Sequence, residues 1–135
     1  WKRELDAPLA APANHRVMYE NELVRVVNVY APGNTRESFH HHRFFSLFFY
    51  YGIALGMRDY DCDGNVIADS DDWDGASPPR LRALWANPEW MHATFNKASA
   101  ADPLAPNCPL DLGPTRCDGF LFRVEFMLND TYTYF

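Results

Sequence analysis

Phe39-His40-His41-His42-Arg43 is the stretch of this chain best equipped for chemistry, since it holds three of the five histidines side by side. The aromatic run Phe44 to Tyr51 follows at once and reads as a strand. In a strand, residues two apart point the same way. His40 and His42 therefore share a face and can hold one metal ion between them, while His41 has the opposite parity and is read as structural or outward-facing. Two imidazoles do not complete a site, because transition-metal sites usually take three or four protein ligands.

Extending that parity along the run puts Ser46, Phe48 and Tyr50 on the histidine face. Ser46 and Phe48 would line a pocket, Phe48 mainly as packing. Tyr50 is the candidate catalytic residue, since a phenol near a metal can donate a hydrogen bond to a bound substrate. Arg25, Arg43, Arg58 and Arg123 are candidates to pair a substrate carboxylate, which a guanidinium grips through paired N–H groups; each also suits a surface or interstrand role. His15 lies near the N-terminal arm and is not counted as a ligand. Asp59-x-Asp61-x-Asp63-Gly64 invites a calcium-loop reading, but Ser70 stands where that loop needs a glutamate, and the flanks read as strands. A hairpin is the better account.

The elements that must position these residues are strands. The chain has 135 residues, 47% of them hydrophobic and 16% aromatic, enough for one domain with a sizeable core. Its 10 prolines and 7 glycines favour many turns over long helices. Strands are expected at His15 to Tyr19, Leu23 to Tyr30, Phe44 to Tyr51, Gly52 to Tyr60, Val66 to Asp69, Leu81 to Trp85, His92 to Lys97 and Gly119 to Leu128. The last alternates Phe120, Phe122, Val124 and Phe126 against Leu121, Arg123, Glu125 and Met127, the pattern of a half-buried antiparallel strand. Residues 1–16 read as an arm, 17–135 as the domain, and 98–119 as a Pro-rich insertion before the last strand.

A net charge of -6 argues against nucleic acid and against an anionic membrane as partners. No apolar run is long enough to span a bilayer. Trp1-Lys2-Arg3-Glu4 does not look like a signal peptide, which favours the cytoplasm slightly. A secreted chain would give meaning to the sequon at Asn129 and to a Cys108–Cys117 pairing. Cys62 reads as a lone thiol in a turn.

The order of motifs resembles the cupin family. Pro32-Gly33, His40-x-His42 and Gly52 match its first signature, and Pro88-x-x-x-His92-x-x-x-Asn96 its second, over roughly Val17 to Leu128. The resemblance implies an all-β, single-domain cupin-type jelly-roll β-barrel, and it supplies His92 as the third ligand beside His40 and His42. Many cupins add a glutamate three to four residues after His-x-His; Phe45 to Leu47 hold none. The implied cofactor is one divalent transition metal (Fe, Zn, Ni, Mn or Cu). The implied function is a metal-dependent enzyme, foremost an oxygenase acting on a small organic substrate. The alternative is a non-enzymatic small-ligand or sugar-binding module, or a structural subunit of an assembly. A homodimer or higher homo-oligomer is expected.

Overall fold

The computed structural model describes residues 1–50, 57–69, 83–97 and 119–127; nothing is described of the side chains of Tyr50 and Phe120. Among the described residues the strands are β1 His15–Glu20, β2 Val24–Ala31, β3 Thr35–Arg36, β4 His40–His42, β5 Ser46–Tyr50, β6 Met57–Tyr60, β7 Val66–Asp69, β8 Ala83–Ala86, β9 Glu89–Asn96 and β10 Gly119–Phe126. They form two antiparallel sheets, one ordered β1-β2-β10-β5-β8 and the other β3-β9-β6-β7, with β4 also paired to β9. The architecture is the expected all-β jelly roll, as two sheets and not a closed barrel. A cavity of about 400 Å³ is walled by both sheets. The Pro-rich insertion, Cys108, Cys117 and the Asn129 sequon lie outside the described residues.

Local sequence accounts for most of these elements. β2 is dense in valine, whose branched side chain fits a pleated surface. The Asp61 to Asn65 turn joins β6 to β7 as the Asp-Gly pair predicts. Gly64 there takes φ +83°, a conformation a side chain would strain, and the Asp61 carboxylate accepts from the backbone N–H of Asp63 and Asn65 at 2.9 and 2.8 Å. Cys62 lies in this turn as an exposed free thiol.

Three details depart from expectation. The histidine run and the aromatic run are two strands: β4 pairs with β9, while β5 pairs with β10 and β8. Arg43, Phe44 and Phe45 carry the chain from one sheet to the other, so parity does not run unbroken through them. β9 starts at Glu89 instead of His92, because Glu89 sits opposite His42 in the ladder. In β10 the alternation is present, yet the buried face is the charged one: Glu125 and Arg123 are 0% and 2% exposed, while Phe122 is 37% exposed.

The N-terminal segment is bound to the body through charge. One helical turn, α1 (Ala7–Ala10), follows Asp6, and Ala7 and Ala11 are buried. Asp6 takes Nη1 and Nη2 of Arg25 at 2.5 and 2.9 Å, and Arg25 Nε donates to Glu125 Oε2 at 2.5 Å. Arg25 and Glu125 face each other directly across β2 and β10. Replacing Arg25 with alanine strands two carboxylates in a poorly solvated position. The R25A variant is expected to lose about 3–5 kcal/mol in urea unfolding, the cost of breaking a buried ion pair from one side. Asp6→Asn, which keeps its acceptor oxygen, is expected to lose less.

Candidate metal centre

His40 and His42 stand at the two ends of β4, and β9 places His92 opposite His40. The three rings form a cluster, with centroids 4.5 Å apart for His40–His92, 5.0 Å for His40–His42 and 5.6 Å for His42–His92. β1 adds a fourth ring: His15 lies 4.5 Å from His40 and 5.1 Å from His42. All four are buried. Three overlapping sets have donor atoms within 4.8 Å of one another: His15/His40/His42, Glu37/His40/His92 and His42/Glu89/His92. These are the donor types and spacing of a metal site.

The hydrogen bonds orient the rings. Nδ1 of His40 lies 2.8 Å from the Ser38 carbonyl, Nδ1 of His92 lies 2.8 Å from the Trp90 carbonyl, and Nδ1 of His42 lies 2.9 Å from Glu125 Oε1. Each partner only accepts, so Nδ1 carries the proton and Nε2 keeps the lone pair; the tautomer is assigned from the partner. This is the outer-shell arrangement of metal-ligating histidines. His40 Nε2 is buried without a hydrogen-bond partner, as is His15 Nδ1. Each lies 3.8 Å from a Glu37 oxygen.

Burial keeps the imidazoles of His15, His40 and His42 neutral. The pKa of His40 falls to about 3, first from desolvation and then from His92. His42 is held well below its ordinary value by desolvation and then Arg123, and His15 by desolvation and then His40. Neutral imidazole is the form that binds a metal. Burial also raises the Glu37 carboxyl to about 7, against the hydrogen bonds it receives from Thr94, whose N–H lies 2.9 Å from Oε1. Asp59, likewise raised by burial, accepts from Thr94 Oγ1 at 2.6 Å.

The remaining candidates divide. His41 is turned away under the N-terminal segment, with Nε2 2.8 Å from the Lys2 carbonyl and Trp1 edge-on at 4.9 Å. Phe48 lines the cavity, and Ser46 is fully buried. Tyr50 sits opposite Leu121 in the ladder, but its side chain is outside the description. Arg58 pairs with Asp69 at 2.5 Å, Arg43 lies over the Phe44 ring, and Arg25 is committed to Asp6 and Glu125. Arg123 lies on the cavity wall and pairs with Glu89.

Sequence reasoning set His15 aside as a ligand and passed over Glu37, Glu89 and Glu125. Glu89 lies inside the Pro88-to-His92 motif and Glu37 three residues before His40, so proximity to the motifs could have pointed to both. His15 and Glu125 carry no local signal; only the pairing of β1, β2 and β10 brings them in.

Histidines neutral in the fold but protonated when unfolded destabilise the fold in acid. Their folded pKa is lowered, so their stabilising contribution is complete above about 6.5 and is lost as pH falls toward 3. In chelator-treated protein the melting temperature should drop steadily between pH 6.5 and 4, each such histidine adding about 1.4 kcal/mol per pH unit. His40→Asn should flatten that slope, as thermal melts across the range would show.

No family model matches this sequence, and no curated protein matches it. Solved structures do. A cupin domain from Bordetella pertussis Tohama I aligns over 83% of this chain and 90% of its own, at 11% identity and a TM-score of 0.52. An RmlC-like cupin family protein with a double-stranded β-helix fold from Methanocaldococcus jannaschii aligns over 83% and 77%, at 8% identity and a TM-score of 0.47.

Proposed function

We propose that this chain, whose fold is that of the cupins, is a metal-dependent enzyme that binds one divalent transition ion through His40, His42 and His92. The supporting observation is that all three imidazoles are pinned through Nδ1 to acceptors, leaving Nε2 of each as the lone-pair nitrogen. The donor set fits such an ion, since neutral nitrogen ligands suit Fe, Mn, Ni, Cu and Zn alike. His15 is the natural fourth nitrogen, and Glu37 or Glu89 an oxygen from the sets that surround the rings.

The favoured reaction class is oxygenation of a small organic molecule. When bound, a redox-capable ion with open coordination positions would supply the reactive centre. The chain's own residues supply the rest. Val29, Phe48, Leu84 and Leu121 give the cavity an apolar wall that suits a small, partly apolar substrate and limits water. Glu37, half-protonated near neutrality by its burial, can hold or release a proton at its carboxyl beside His40.

Purified protein is expected to take up one equivalent of a divalent ion, as read by elemental mass spectrometry after incubation with each candidate and desalting. His42→Ala or His92→Ala should abolish that uptake. Glu125→Gln should weaken it by about 10–100-fold, because the carboxylate that fixes the His42 tautomer is lost. A wild-type chain that retains none of these ions would sink the enzyme reading and leave a binding or assembly scaffold.

A further inference from the structure

The cavity wall beside the histidines carries a buried cation with hydrogen-bonding capacity to spare. Arg123 projects from β10, is 2% exposed, and has its guanidinium carbon 4.6 Å from the centroid of the Phe48 ring. Nη1 donates to Glu89 Oε2. Nε lies 3.3 Å from Glu125 Oε1 without hydrogen-bond geometry, and Nη2 has no hydrogen-bond partner among the described residues. Glu125 has little to offer it, since Oε2 takes Arg25 and Oε1 takes His42. A buried charged donor without an acceptor is costly, by more than the roughly 1–3 kcal/mol of a neutral one. Arg123 lines the cavity, where an acceptor on a bound molecule would answer that donor.

We infer that Arg123 is the anchor for an anionic group, a carboxylate foremost, on the small molecule that occupies this cavity. A carboxylate matches the planar fork of a guanidinium, with one oxygen for Nη2 and the other free to approach Nε. The stacked Phe48 ring holds the guanidinium plane in place, so little ordering is left to be done on binding. The acidic groups nearby do not cancel the preference. Glu89 occupies only the Nη1 edge of the fork, and Glu37 and Asp59 each accept from Thr94 on β9. The same wall is apolar toward Phe48 and Leu121, so the favoured ligand is a small carboxylic acid with an apolar body. As a statement of substrate class this rests on the metal-centre reading; as a statement of binding it does not.

The test is calorimetric titration with benzoate and with benzamide, which share a ring and differ in charge. It is run on ion-loaded and on chelator-treated protein, because a carboxylate can also ligate a metal directly. Benzoate is expected to bind about tenfold or more tightly in both forms, the worth of a charge-assisted hydrogen bond. R123Q should erase that preference while ion uptake persists, and R123K should recover part of it. Loss of fold in R123Q cannot mimic the companion result: in chelator-treated protein E89A frees Nη1 and should tighten benzoate binding several-fold. Equal binding of the two probes by the wild-type chain, or a preference that survives R123Q in chelator-treated protein, would overturn the inference. Ion uptake without charge preference would overturn it while sparing the metal centre, and charge preference in a chain that takes up no ion would do the reverse.

Discussion

Glu125 is the interaction on which the rest of this molecule depends. It is a fully buried carboxylate in the middle of a sheet, and no such group survives unless its charge is answered. Here Arg25 answers it on one side, the neutral His42 ring donates a hydrogen bond on the other, and Arg123 stands 3.3 Å away. Through Arg25 the network reaches Asp6 and fixes the N-terminal segment; through His42 it fixes an imidazole of the candidate metal centre. Fold and site therefore share one electrostatic knot. A change at either end is felt at the other, because the partners are coupled in a poorly screened interior.

That knot explains why the strand carrying it reads backwards. In β10 the phenylalanine face is the natural candidate for burial, and the charged face for solvent. The opposite holds because Arg123 and Glu125 are needed inside, where they meet β2, β4 and β9. Local sequence–structure rules tend to fail at functional sites, where polar groups occupy positions that packing alone would give to apolar ones. Exposed Phe122 and buried Glu125 on one strand are a case of that conflict.

What the sequence disclosed follows the range of the forces involved. Strand positions, the Asp-Gly turn and the shared face of His40 and His42 depend on a few neighbouring residues, and these were legible. The sheet switch at Arg43 to Phe45 was not, because nothing in an aromatic run says which of two sheets its halves will join. The approach of His15 and Glu125 to His42 was hidden for the same reason: the contacts span 27 and 83 residues. His92 became a candidate only through resemblance, and its position beside His40 follows from the β4–β9 ladder.

The composition of the site also bears on what it can bind. Burial holds His15, His40 and His42 neutral, so these rings bring no charge; an ion there would keep most of its own positive charge, and the acids that surround it would moderate the rest. Glu37 lies 3.8 Å from a ring nitrogen of both His15 and His40, and its burial is what raises its pKa. A divalent ion there would favour the carboxylate form. The buried acid and the two imidazole nitrogens 3.8 Å from it are ligating atoms gathered in one interior, where a single cation could be shared among them.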